Sequence, residues 1–237
     1  VKFEVIAFDA DDTLWHNERH YTEAKERFKR ILTRYHDQEW IEQRLEETEL
    51  QNLKRYGYGI KSFTLSMIET AIQLTEGRII GSEVQEIITL AWEMLGRPME
   101  ILEGVPETLR ELAASYRLML ITKGDLFEQE AKVSRSGLSD YFASIEIVSE
   151  KTAQSYQAIL DRHRLSADRF LMIGNSLKSD VLPVLEIGGH AIHIPFETTW
   201  VHEMVDEAEL EDKNFMRLNH ITHLPGLIES LSSGAEN

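Results

Sequence analysis

With 237 residues, 42% of them apolar, the chain can bury a sizeable core, either as one domain with a large insert or as two modest domains. Its 28% charged and 8% aromatic content, with only 13 glycines and 5 prolines, argues against disordered, collagenous and low-complexity classes. A formal net charge of −16 argues against nucleic acid or anionic membrane as partners, and the lack of any cysteine excludes disulfides, thiolate metal sites and cysteine nucleophiles.

The chain opens on an apolar run, Phe3 to Phe8, too short for a signal peptide and without its flanks. No run approaches the roughly 20 apolar residues of a membrane span, so a cytoplasmic location is expected. Val5-Ile6-Ala7-Phe8 is short and continuous and predicts a buried strand ending at Asp9.

Just beyond it stands Asp9-Ala10-Asp11-Asp12-Thr13. Asp9 and Asp11, two apart on extended backbone, face the same side, roughly 6–7 Å apart along the chain. Carboxylates beside a buried apolar run need a cation or strong donors, and a hard divalent cation such as magnesium supplies that with one or two carboxylates plus substrate phosphate oxygens. Aspartate is also a competent nucleophile towards phosphorus. The competing reading is a capping cluster, with Asp11, Asp12 or Thr13 capping the next turn.

From Tyr21 to Leu95 the spacing turns helical. Phe28, Ile31, Leu32 and Tyr35 form one set, Ile68, Ala71 and Ile72 a second, and Val84, Ile87, Ile88, Ala91 and Leu95 a third. Gly57, Gly59, Gly77, Gly81 and Gly96 with Pro98 punctuate them. This predicts a helical cap over 16–104, inserted into a core made of 1–15 and 105–237, with boundary crossings near 15–20 and 97–104.

Four more buried strands are expected at 118–121, 145–148, 170–173 and 191–194, with helices over roughly 125–136, 153–163 and 178–187 between them. That alternation predicts an α/β fold: a Rossmann-like parallel sheet with helices on both faces, plus the inserted helical cap. The tail from Phe196 to Arg217 reads as a loop and a short helix, and Ile221 to Leu231 as a final strand and helix.

Ligands of such sheets bind outside the carboxyl ends of the strands, and those ends carry chemistry here. Thr122-Lys123-Gly124-Asp125 offers a hydroxyl that could donate to a phosphoryl oxygen or cap a helix. Lys151 could supply positive charge to a transferring phosphoryl group, or be a solvated surface lysine. Gly174-Asn175-Ser176-Leu177-Lys178-Ser179-Asp180 offers a tight turn and oxygens for a metal from Asn175 and Asp180, with capping by Asn175 or Ser176 as the structural alternative. His190, His193, His220 and His223 do not read as a zinc set, because residues three apart on a strand point to opposite faces. Trp15 and Tyr56 read as packing aromatics, and Lys54 and Arg55 as a solvated helix face.

Carboxylate, hydroxyl, lysine and acidic loop, in that order and each past a strand, resemble the motifs of the haloacid dehalogenase-like superfamily of hydrolases over essentially the whole chain. Asp9 to Thr13 matches its Asp-x-Asp-x-Thr hallmark, Thr122 its second motif, Lys151 its third and Gly174 to Asp180 its fourth. The resemblance implies a Rossmann-like core, with a helical cap inserted after the first motif in one subgroup. It further implies magnesium-dependent hydrolysis of a small phosphorylated metabolite through an aspartyl-phosphate. Asp9 is then the nucleophile and Asp11 the general acid/base. Thr122 and Lys151 anchor phosphoryl oxygens, with Lys123 a further substrate contact. The expected metal donors are Asp9, Asp11 through its carbonyl, Asn175 and Asp180.

Two positions depart from the family pattern. Asn175 stands where an aspartate is usual, which removes one negative charge and predicts weaker magnesium binding than in an Asn175→Asp variant. Thr152 stands where the lysine motif commonly continues with proline. Dehalogenases of the family attack carbon and lack the second acid, so Asp11 argues against halide release. A phosphomutase would retain both aspartates and stays open as an alternative; a phosphometabolite-binding protein without turnover is favoured only by Asn175 and opposed by the intact Asp9, Asp11, Thr122 and Lys151. The cap is expected to close over the site and choose the leaving group.

Overall fold

The structure, a computed structural model, describes residues 2–197, 203, 205–206, 210 and 213–233. Among the described residues six strands form one parallel sheet: β1 (Val5–Phe8), β2 (Arg117–Lys123), β3 (Ser144–Val148), β4 (Phe170–Gly174), β5 (His190–His193) and β6 (Met216–Arg217). Their order is β3-β2-β1-β4-β5-β6. The chain lays strands outward from β1 on one side, then returns to its other side with β4, so a topological switch point falls between β1 and β4.

Strand periodicity sorts the core into two layers. Ile6, Phe8, Leu118, Leu120, Leu171, Ile173 and Ile192 face one side, where they cluster with α5 (Val105–Ala113) and α9 (Leu224–Ser233). Val5, Ala7, Met119, Ile121, Phe170 and Met172 face the other, against α7 (Ala153–His163) and α8 (Leu182–Glu186). Both faces being covered explains why these strands read as unbroken apolar runs.

Two compact units are present: one of residues 1–18, 99–123 and 129–237, the other of residues 19–98 and 124–128. The second is helical, built from α1 (Glu18–Leu32), α2 (Gln38–Tyr56), α3 (Ile60–Leu74) and α4 (Gly81–Gly96). Its core runs at three- and four-residue intervals through Ala24, Phe28, Leu32; Phe63, Met67, Ala71, Leu74; and Ile87, Leu90, Ala91, Met94. The 124–128 segment belongs with it through Glu128, whose carboxylate accepts the Ile60 N–H at 2.8 Å, and through the Asp125–Lys61 pair at 2.8 Å. In the core unit, the segments leading out of and back into the sheet pair with each other, His16 N–H to the Glu100 carbonyl and Leu102 N–H to that of Leu14.

The structure corrects several local expectations. Ile72 is 47% exposed, because the buried face of α3 is set over its full length by Phe63, Met67 and Ala71 rather than by the short 68–72 window. Among the described residues the last strand is β6 at 216–217, and the closing segment is helical throughout its described length, Ile221–His223 leading into α9. Most of the remaining tail, including the short helix expected there, lies outside the described residues. The 178–187 helix divides into a wide helical turn, Leu177–Val181, and α8. Among the described residues no helix is long and apolar enough to cross a membrane.

Candidate active site

Each motif stands at the carboxyl end of a strand, around the switch point. Asp9 follows β1 and is buried. Its Oδ1 accepts from Lys151 Nζ at 2.5 Å and its Oδ2 from Thr13 Oγ1 at 3.0 Å. Lys151, with 1% of its side chain exposed, also donates to Asp180 Oδ1 at 2.7 Å. Burial pushes the Asp9 carboxyl up to about 7, with the Lys151 ammonium opposing and the Asp180 carboxylate reinforcing. Burial also works against the Lys151 ammonium, but Asp180 and Asp9 outweigh it and raise the group well above an ordinary lysine. Lys151 is therefore no solvated surface lysine.

Asp11 is held quite differently. Its Oδ1 accepts from the Trp15 indole at 2.7 Å and from Lys132 Nζ at 3.1 Å; its Oδ2 accepts from Gln129 Nε2 at 2.8 Å and from Lys132 Nζ at 2.9 Å. Burial pushes Asp11 up, but Lys132, Gln129 and Trp15 outweigh it and hold the carboxyl below its ordinary value. Two neighbouring carboxylates thus lie in opposite environments. Asp12 is the capping residue of the cluster: at φ 60° it accepts the N–H groups of Asn17 at 2.8 Å and Glu18 at 2.9 Å, where α1 begins. Burial pushes its carboxyl up to about 7.

The fourth motif is bound to the first. Asn175 N–H donates to Thr13 Oγ1 at 3.1 Å, and the Asn175 carbonyl lies 2.9 Å from His193 Nε2 on β5. Ser176 caps the following turn, accepting the Ser179 N–H at 3.0 Å. Asp180 Oδ2 accepts the Ser176 N–H at 3.0 Å. Gly174 is required by that seat, since a Cβ there would lie 2.2 Å from Asp180 Oδ2. Thr122 is buried at the end of β2, and the helix-start acceptor after it is Asp125, which takes the Glu128 N–H at 3.1 Å. Lys123, expected to meet substrate, donates to Ser179 Oγ at 2.9 Å and pairs with Glu203.

The donor set can be weighed against magnesium. Among the described residues no three acidic or histidine side chains form a cage for a metal ion. Magnesium does not need one, because it is commonly held by one or two carboxylates with waters and substrate oxygens. Asp9 and Asp180 converge on one Lys151 ammonium, so their oxygens already flank one small cation, and the Asn175 side chain adds a neutral hard oxygen within 3.3 Å of Thr13. The set fits a small hard cation completed by substrate.

Gln129, Lys132 and Glu203 were not found by the sequence reading. Gln129 and Lys132 stand three apart on α6 (Leu126–Ser136), a spacing that signals a shared face but not what the face meets. Trp15 is fully buried in the core-unit cluster, and its indole serves Asp11. The His190–His193 pair lies on β5 as expected, whereas His220 and His223 lie on one turn outside any strand, with rings 6.4 Å apart.

A family model described as haloacid dehalogenase-like hydrolase matches residues 3–188. The N-acylneuraminate-9-phosphatase of Rattus norvegicus is 25% identical over 243 residues, spanning 97% of this chain and 95% of that protein. The Homo sapiens protein of the same name is 24% identical over the same shares. A crystal structure of a haloacid dehalogenase-like family hydrolase from Xanthomonas campestris is 43% identical with a TM-score of 0.87, covering 98% of this chain and 93% of that one. A 2-haloacid dehalogenase from Pseudomonas syringae shares 20% identity at a TM-score of 0.62, a likeness of fold alone.

Proposed function

The chain belongs to the haloacid dehalogenase-like hydrolases, and on that premise we propose that it is a magnesium-dependent phosphatase of a small phosphorylated metabolite. The observation that carries this reading is the pair of opposed carboxylates, Asp9 on Lys151 and Thr13, Asp11 on Lys132, Gln129 and Trp15. Two carboxylates at one strand end can divide the roles of nucleophile and proton carrier, although their pKa directions here run the other way. A cation drawn to Asp9 and Asp180 would lower the Asp9 carboxyl, and Asp11 would serve as acid once substrate loosens its pairing with Lys132. The curated relatives named as phosphatases support the same reading.

In the first half-reaction an Asp9 oxygen bonds to phosphorus, the ester P–O bond breaks, and Asp11 delivers a proton to the departing alkoxide. In the second, water attacks the aspartyl-phosphate, the Asp9 O–P bond breaks, and Asp11 takes the water's proton. Thr13 and Lys151 hold the Asp9 carboxylate in place; Lys151, with Thr122, would then meet phosphoryl oxygens, and Lys123 would offer a further positive charge to substrate. Asp9, the Asp11 carbonyl, Asn175 and Asp180 would hold the cation, which when bound offsets the charge of phosphate and carboxylates.

The test is release of p-nitrophenol from p-nitrophenyl phosphate, with and without magnesium, beside Asp9→Asn. Magnesium-dependent release that falls by about a thousandfold or more in the variant is the expected result. Release that persists in Asp9→Asn, or none from folded, metal-loaded protein across aryl and alkyl phosphates, would overturn the reading.

A further inference from the structure

Glu203 belongs to none of the strand-end motifs, yet its carboxylate closes a hydrogen-bond network among them. Its Oε1 takes the Lys123 ammonium, and its Oε2 takes the hydroxyls of Ser176 and, at 2.6 Å, Ser179. Lys123 also lies 3.6 Å from Glu150 Oε1. Ser176 Oγ accepts the Ser179 N–H at 3.0 Å and gives its proton to Glu203. Ser179 Oγ accepts from Lys123 at 2.9 Å and gives its proton to the same oxygen. A satisfied polar network of this kind rigidifies the groups it joins.

What the network joins gives it meaning. Lys123 ends β2, while Ser176 and Ser179 lie on the turn that leaves β4. Those strands are the two neighbours of β1, so Glu203 spans the sheet end that carries Asp9. The turn it grips is also the one that carries Asn175 and Asp180, and Asp180 N–H closes on the Ser176 carbonyl at 2.8 Å.

We propose that Glu203 is a positioning residue of the cation site, a clamp that holds the Asn175–Asp180 turn against Lys123 and supplies a carboxylate beside the turn in which Asn175 is uncharged. The proposal rests on the reading of Asp9, Asn175 and Asp180 as cation ligands. Glu203 does not touch the cation; it sets the turn that does. Without it two serine hydroxyls turn loose and the Lys123 charge is less offset, and both changes weaken cation binding.

The experiment is calorimetric titration of magnesium into the wild type, Glu203→Ala, Glu203→Gln and Asp180→Ala, with melting curves recorded in chelator. Glu203→Ala should raise the magnesium Kd by about tenfold, as losses in outer-shell partners of metal ligands do. Its melting temperature in chelator should stay near the wild type. Glu203→Gln keeps the length and the serine acceptors but not the charge, and should fall between the two. A wild-type Kd in Glu203→Ala, beside lost binding in Asp180→Ala, sinks the clamp and leaves the cation site standing. Absence of magnesium binding by the wild type overturns both. Should Glu203→Ala fail to fold, Ser176→Ala and Ser179→Ala release the turn from its other end: a weakened Kd in both upholds the clamp, and an unchanged one overturns it.

Discussion

The sheet unit and the helical unit both bury polar side chains, and they do so for opposite reasons. In the helical unit Thr48, Ser66 and Thr75 each donate to the carbonyl four residues back, at 2.8, 3.0 and 2.8 Å. Each of these protons is given within its own helix, although Ser66 Oγ also accepts from Asn52 Nδ2 on α2 at 3.2 Å. In the sheet unit some of Asp9, Asp11, Thr13, Lys151 and Asp180 bond near neighbours too, but each also depends on a group from a distant part of the chain. Buried polarity that closes locally is architecture; buried polarity that converges from several strand ends has the form of a site.

The largest test of that contrast is Lys151→Met. It leaves the Asp9 and Asp180 carboxylates buried without their shared cation, and should cost about 3–5 kcal/mol in urea unfolding and abolish turnover. A variant as stable as the parent would mean that the two carboxylates do not depend on Lys151.

A matched pair of threonines sharpens it further. Thr13→Val removes the donor to Asp9 and the acceptor for Asn175 N–H, so kcat/KM should fall roughly tenfold, about the 1–3 kcal/mol of a buried group left unsatisfied. Thr48→Val removes a bond internal to one helix and should change stability by less than about 1 kcal/mol, with activity unaltered. Equal effects in the two variants would erase the distinction between the units.

The smallest effect concerns Glu49, a buried carboxylate of the helical unit, 3.1 Å from Lys25. Burial raises its carboxyl above the ordinary value despite the opposing lysine. A raised folded value means the folded state binds the proton more tightly than the unfolded one. The stabilisation from this group is complete below the ordinary glutamate range, about 4.3, and is lost as pH rises through the folded value. Glu49→Gln should therefore melt slightly higher than the parent at neutral pH, and the gain should vanish on acidification. A lower melting temperature at neutral pH would show that the Lys25 pairing outweighs burial.

Much of this molecule was legible in the chain. The expected strands at 5–8, 118–121, 145–148 and 170–173 lie within β1 to β4, and the 191–194 run overlaps β5. The central β1, β2 and β4 were plainest, because strands covered on both faces are apolar without interruption, whereas the edge strand β3 carries Glu146. Helix α7 matches its 153–163 pattern, since helix periodicity is local. The face of α3 was harder to read, because a five-residue window cannot fix which stripe is buried, and β6, two residues long, carries no pattern. The motif residues Asp9, Asp11, Lys151 and Asp180 were picked out because each follows or lies near an apolar run that must end at the edge of the sheet.

Their partners were another matter. Position in the chain determined that carboxylates, a lysine and an acidic turn would stand at strand ends, since strand, turn and motif are written in consecutive residues. Only the tertiary structure decided that Lys132 and Gln129 would serve Asp11 from more than a hundred residues away, that Lys151 would join Asp9 to Asp180, and that Glu203 would clasp Lys123 to Ser176 and Ser179. Those pairings depend on which strands become neighbours and on how far each side chain reaches across a buried end, where an unpaired charge is too costly to keep, and no local pattern records that distance.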